Sequence, residues 1–266
     1  MGTHSIEPRT VPHKLSPPGT AAGDQKRDEF LRYLHEVWET LLVLPKKSDT
    51  TTLTETSRNA ATVTADATVA SRIAALGSGV SVDFDGTDDE ADTPDAARLS
   101  FGDGAADSPF SLMALIKPDV NDANDVIIAK ENSATAEEWR LELTSSGHPQ
   151  LVLSDESATA SIGRRDATAI GTDWVLLQAT YDGSRSAVGI RVYVNAARVD
   201  DTDASAGTYV AMENTAALVH FASRYTTKAL FFDGRVALWA ISPTQVSVER
   251  LWADKAAINA FFDLSL

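Results

Sequence analysis

Two carboxylates on one face of a strand can set a proton donor and a nucleophile across a glycosidic bond. The nearest match here is Glu90-Ala91-Asp92-Thr93-Pro94-Asp95. Its last acid is the shorter Asp, and Pro94 lacks the N–H that a sheet ladder needs. A solvated acidic loop is the reading, and polysaccharide hydrolysis is disfavoured. GDGAAD, Gly102–Asp107, falls short of GxGxxG and has no strand-to-helix setting, so a phosphate cradle is not expected. The chain has no G-x-S-x-G, and His4, His13, His35, His148 and His220 form neither an H-x-H nor an H-E-x-x-H pair. Zinc and Ser-His chemistry are therefore unsupported. With no cysteine, disulfides and thiolate catalysis are excluded. The expectation is a non-enzymatic protein with no catalytic residue and no cofactor.

Two oxygen-rich loops leave calcium open. They are DVNDAND at Asp119–Asp125 and DDTD at Asp200–Asp203. Twelve positions counted from Asp119 end on Lys130, where an EF-hand needs Glu, and ordinary turn-forming Asp and Asn are the competing reading. A sugar site would need exposed aromatics. Trp139, Trp174 and Trp239 fall in strand patterns and are expected in the core, which leaves Tyr193, Tyr209 and Tyr225 as the exposed candidates.

Charge narrows the partners. The formal net charge is -15, and the first 50 residues are neutral, so the rest carries all of it. An acidic body repels phosphate backbones, and nucleic acid is not expected as a partner. Neither an apolar leader nor an apolar run of about 18 residues is present, so no secretory signal and no membrane span are expected.

The elements that must position these residues divide into four segments. Residues 1–23 contain Pro8, Pro12, Pro17 and Pro18 and read as an extended arm, either a disordered tail or one ordered against a neighbouring subunit. Residues 24–44 read as one amphipathic helix, with Phe30, Leu31, Leu34, Val37, Trp38, Leu41 and Leu42 at helical spacing and Pro45 as its stop. Burying that stripe is worth very roughly 10–20 kcal/mol as an upper estimate, so it packs on something, either its own domain or another subunit. Residues 45–59 read as a linker, and 60–266 as a β domain with a C-terminal helix. Val80–Phe84, Trp139–Leu143, Leu151–Leu153 and Val188–Val194 alternate with period two, Phe110–Lys117 is apolar on both faces like an inner strand, and Val126–Ala129 and Trp174–Tyr181 read as further strands, all between Gly, Asp and Pro turns as in an antiparallel sandwich. Ser242-Pro243-Thr244-Gln245 reads as a helix start with Ser242 as its cap.

Three motifs in order carry a resemblance: the FDG-x-DD turn leading to a strand that ends in Lys117-Pro118-Asp119; the Trp174 strand with its Tyr181-Asp182-Gly183 turn and Tyr193-Val194 strand; and the closing strand and helix FFDGRVALWAISPTQVSVERLW. Over residues 60 to about 255 the chain resembles concanavalin A-like, laminin-G-like jelly-roll domains. The resemblance implies a mainly β sandwich of about 12 to 14 strands, a fold that hosts lectins, glycosidases, adhesion modules and virion parts. Where that family places Asp-Gly, this chain has Asn195-Ala196, and Ala disfavours the positive φ of a type I′ turn, so a longer or differently shaped loop is expected.

A sandwich behind an arm and helix, without cysteines, also resembles bacteriophage head-decoration or tail proteins. That resemblance implies a virion component, or otherwise a soluble protein folded in a cytoplasm, that joins other virion or assembly proteins and its own copies through Phe30, Leu31, Leu34, Val37, Trp38 and Leu41. The alternative is a lectin-like module binding cell-surface glycans, with or without calcium.

Overall fold

The computed structural model describes residues 22–266 apart from 58, 60, 67–68, 70–71, 121–124, 134 and 225–229. The expected arm, most of the first calcium loop and Tyr225 lie outside the described residues. In chain order the elements are α1 (Ala22–Leu34), β1 (Leu41–Val43), β2 (Thr52–Leu53), β3 (Val63–Ala65), β4 (Ile73–Leu76), β5 (Gly79–Asp85), β6 (Ala91–Thr93), β7 (Phe110–Pro118), β8 (Asp125–Glu131), β9 (Glu137–Leu143) and β10 (Pro149–Asp155). They continue with β11 (Ala160–Arg165), β12 (Val175–Tyr181), β13 (Ile190–Val194), β14 (Ala197–Arg198), β15 (Thr202–Asp203), β16 (Val219–Phe221), β17 (Asp233–Ser242) and α2 (Val248–Phe262).

The alternating segments form two antiparallel sheets. An eight-stranded sheet runs β14-β13-β12-β7-β17-β5-β4, with β1 also paired to β17. A nine-stranded sheet runs β15-β11-β10-β9-β8-β16-β6-β3-β2. This is the sandwich expected from the sequence, with very short edge strands raising the count. The inner faces close over Phe110, Leu112, Trp139, Leu141, Leu153, Tyr181, Val192, Phe221 and Trp239, all buried. Both core tryptophans keep their indole N–H groups satisfied: Trp139 donates to Leu99 O at 3.0 Å and Trp239 to Ile127 O at 3.1 Å.

The eight-stranded sheet is covered on its outer face as well. Met113, Leu115, Leu176, Leu238 and Ala240 point out of the sandwich and pack under both helices. That covering corrects the reading of residues 24–44. Helix α1 stops at Leu34, and Leu41–Val43 is strand β1, in register with Trp239–Ile241. The spacing of Trp38, Leu41 and Leu42 fits a helix face, but Leu41–Leu44 also alternates between two hydrophobic layers. Leu41 and Val43 enter the main core, while Leu42 and Leu44 join the helix layer. The edge of β17 settles the choice: β5 pairs with its first residues and leaves Trp239–Ile241 for β1.

The residues expected to dock on a foreign subunit are thus used internally. Phe30, Leu34, Trp38 and Leu41 are buried, and Leu31 and Val37 are half-buried against the helix layer. Phe30 stacks on Phe261 at 4.3 Å and meets Phe262 edge-on at 5.9 Å. Trp38 Nε1 donates to the buried Asp254 at 2.9 Å, and Asp254 also receives Arg250 Nε at 2.8 Å. Arg250 reaches back to Tyr33 O at 2.6 Å and Glu36 at 3.1 Å. The expected linker is also part of the sandwich, since β2 pairs with β3, so the β body begins at Leu41 and not at residue 60.

Three smaller expectations change. The terminal helix starts at Val248 with Ser247 as its cap, accepting from Arg250 N at 3.3 Å; Ser242 ends β17 opposite Ser111. Val188 stands exposed in a short turn ahead of β13 instead of sharing its inner face. The Asn195-Ala196 loop is a tight two-residue hairpin after all, with φ of 53° and 66°. Left-handed Ala costs about 1–2 kcal/mol, offset here because Ala196 is buried in the helix layer and Asn195 Oδ1 accepts Leu176 N at 2.9 Å. Among the described residues no helix is long and apolar enough to cross a membrane.

Candidate functional site

The outer face of the nine-stranded sheet carries polar groups where the other sheet carries its helices. Strand alternation turns Trp139, Leu141, Leu153 and Ile162 inward, so Arg140 of β9, Ser154 of β10 and Ser161 of β11 point out side by side. They floor a groove of about 330 Å³, walled by Thr135, Glu137, Glu156, Thr159 and Arg224.

A β-bulge supplies one wall. Lys130 pairs with Trp139 but Glu131 pairs with Glu137, so Glu138 is the extra residue. The shift puts Glu131 and Glu137 on the outer face with Arg140. It sends Glu138 the other way, to buried Lys130 at 2.7 Å and Thr215 N at 2.8 Å. Lys130 also pairs with Asp95 at 2.9 Å.

The outward charges form a connected lattice. Arg140 meets Glu142 at 2.9 Å and Glu131 at 3.1 Å, with Glu137 at 3.9 Å. Arg224, just beyond β16, pairs with both Glu131 and Glu137. Burial works against the charge on Arg140, but Glu142 and Glu131 outweigh it and push its pKa up. Burial pushes the Glu131 carboxyl up to about 7, although Arg140 and Arg224 pull it down. Glu156 is also raised, first by desolvation and then by the carboxylates of Glu137 and Glu213. One Glu156 oxygen accepts Glu137 N at 2.9 Å, and Glu213 receives Glu156 N at 2.8 Å and Ser157 N at 3.0 Å.

The sequence-derived sites fall elsewhere. Glu90 is buried and accepts Ser223 Oγ at 3.0 Å, Asp95 serves Lys130, and β6 ends at Thr93 just before Pro94. The pattern is therefore structural. In GDGAAD, Asp107 is a clasp: Tyr181 and Tyr209 each donate to Oδ2 at 2.7 Å, and Met212 N donates to Oδ1 at 2.9 Å. Tyr193 is buried and Tyr209 packs on the core, so neither is an exposed sugar platform. In the second calcium loop Asp200 holds Arg198 at 2.8 Å and Asp203 accepts Ser205 N at 2.8 Å. A third acidic group, Asp85, Asp88 and Asp89, brings its oxygens within 4.8 Å of one another. There Arg72 already pairs with Asp89 and, at 3.1 Å, with Asp85.

The groove residues were only half visible in the sequence. Alternation in WRLEL puts Arg140 and Glu142 opposite Trp139. Nothing in the sequence marks the bulge that adds Glu131 and Glu137, or the return of the chain that brings Arg224.

A family model described as the concanavalin A-like lectin/glucanases superfamily matches residues 85–250. Comparison with curated proteins gives no match. Among solved structures, the binding domain of Paraclostridial Mosquitocidal Protein 1 aligns with a TM-score of 0.62 at 10% identity, covering 84% of this chain and 52% of that one. The botulinum neurotoxin type G receptor binding domain aligns at 0.57 and 12% identity, covering 81% and 50%. The serotype D ligand binding domain in complex with N-acetylneuraminic acid aligns at 0.55 and 14% identity, covering 84% and 52%. The chain spans about half the length of these structures, and at such identities the likeness shows the fold.

Proposed function

The chain belongs to the concanavalin A-like lectin/glucanase superfamily, and from that premise we propose that it is a non-catalytic, glycan-binding sandwich module whose site is the groove over Arg140, Ser154 and Ser161. The groove itself carries the reading. It is an open concavity on the outer face that, among the described residues, has no helical cover, and it is lined by the carboxylates, hydroxyls and guanidinium groups that hydrogen-bond sugar hydroxyls. A volume of about 330 Å³ lies at the small end of ligand sites, the size for one or two sugar rings. The solved structures above are named as binding or receptor-binding domains, which supports binding over assembly.

Hydrolysis fits the groove poorly. A retaining pair needs two carboxyls about 5–5.5 Å apart with the sugar between them. Here the space between Glu131 and Glu137 is taken by the Arg224 guanidinium. This reading gives calcium no role at the groove, and in the Asp85 cluster Arg72 pairs with Asp85 and Asp89. The virion reading placed attachment on the N-terminal arm and helix; the arm lies outside the described residues, and α1 packs its stripe on the C-terminal helix of its own chain.

A glycan array followed by calorimetry tests the reading. Binding should fall in the micromolar-to-millimolar range, be indifferent to EDTA, and be lost in Ser161→Leu, which fills the groove without touching the charge lattice. Absence of any glycan ligand, or undiminished binding by Ser161→Leu, would sink it. Release of reducing ends from a bound polysaccharide would replace binding with catalysis.

A further inference from the structure

We infer that the groove selects uncharged glycans and rejects those bearing carboxylate or sulfate groups; this rests on the groove being the glycan site. The argument starts with the arginines. A sialic or uronic acid is normally recognised by a guanidinium offering a free two-pronged edge. Among the described residues the groove is lined by two arginines, Arg140 and Arg224. Both are committed: Arg140 to Glu142 and Glu131, Arg224 to Glu131 and Glu137. A ligand carboxylate would have to displace a protein carboxylate that strand β8 or β9 holds in place. It would leave that displaced group buried without its partner, at a cost of several kcal/mol.

The field around the groove points the same way. Glu137 and Glu142 pair with the two guanidinium groups and Glu156 and Glu213 stand beside them, so carboxylates outnumber guanidinium groups even when Glu131 carries a proton. Asp155 turns its carboxylate toward Val210 N at 2.7 Å and Ala158 N at 2.9 Å, and Arg165 stands at the far end of β11, where it pairs across to Gln150. Arg165 therefore adds no positive charge where a ligand would sit. The rest of the body contributes the same sign, with a net charge of -15. What the groove does offer is hydroxyl chemistry. Ser154, Ser161, Thr135 and Thr159 both donate and accept, and Glu137 and Glu156 accept from sugar O–H groups. A neutral sugar satisfies these groups without disturbing the lattice. The groove thus differs in ligand charge from the serotype D domain, which was solved with the acidic sugar N-acetylneuraminic acid.

The test is a matched pair, identical except for charge: lactose-type and N-acetylglucosamine-type oligosaccharides against their sialylated or glucuronylated forms. Affinity is measured on the full chain by calorimetry or ligand-observed NMR. The neutral member should bind at least about tenfold more tightly at low salt, and the gap should narrow as added salt screens the groove. Glu213→Gln removes one charge beside the groove, keeps an oxygen for Glu156 N and Ser157 N, and should also narrow the gap while keeping neutral binding within about threefold. Equal or tighter binding of the acidic member, lost in Ser161→Leu, would overturn the selectivity and leave glycan binding standing. Failure of both members and of every other glycan would remove the site, and the selectivity with it.

Discussion

Replacing Asp254 with Ala probes the bolt between the two ends of the chain. The Asp254 carboxylate is buried, accepts Trp38 Nε1 at 2.9 Å and pairs with Arg250 Nε at 2.8 Å. Burial pushes its pKa up, and Arg250 and Trp38 pull it back down. Removing one partner of a buried pair costs about 3–5 kcal/mol, less what Arg250 recovers through Glu36 and Tyr33 O. Here the indole N–H of a fully buried Trp38 loses its acceptor as well. For a chain of 266 residues the unfolding entropy makes each kcal/mol worth about 2 °C. Asp254→Ala should therefore lower Tm by about 5–9 °C in scanning calorimetry, and hydrogen exchange should rise first in α1. The double variant with Trp38→Phe should lose less than the sum of the two single changes, since both break the same bond. A loss under about 2 °C with α1 still protected would refute the reasoning that this contact fixes the N-terminal segment to its own chain.

Truncation through residue 44 removes α1 and β1 and should yield an aggregating or unfolded chain, not a smaller oligomer. Phe30, Leu34 and Trp38 are each worth about 1.5–3 kcal/mol when buried, which together approaches a typical total stability; a folded, monodisperse product on a sizing column would contradict this. Glu131 gives a pH signature. Its folded pKa of about 7 lies above the ordinary 4.5, so folding takes up a proton, and this stabilisation is full below about pH 4.5 and is lost as pH rises through 7. Glu131→Gln should flatten that part of the stability–pH curve, and an unchanged slope in denaturant titrations would count against the assignment. At the tight hairpin, Ala196→Val should cost about 2 kcal/mol or more, since a β-branched residue at positive φ is an outlier, whereas Ala196→Gly should stay within about 1 kcal/mol of the parent; equal stabilities by denaturant midpoint would refute the strain argument.

The sequence by itself determined the two-layer core. Trp139–Leu143 and Leu151–Leu153 set their inward side chains by period-two alternation, and β9 and β10 bury those residues, while Phe110–Lys117, apolar on both faces, was legible as an inner strand. That signal is local, because a strand's facing depends on parity alone. It also carried the family's motif order, and it placed Arg140 and Glu142 on the outer side. Two things were beyond its reach. The stripe from Phe30 to Leu42 was legible as apolar, but not as a helix that stops at Leu34 and a strand that joins β17. Helical and extended spacings coincide there, and only the open edge of a strand about 200 residues later decides between them. The groove was hidden for the same reason. Glu131, Glu137, Arg140 and Arg224 become one lattice through a bulge and a chain return, and both are set by how distant segments pair. Alternation is a property of neighbours in the chain, whereas a binding surface is a property of neighbours in space.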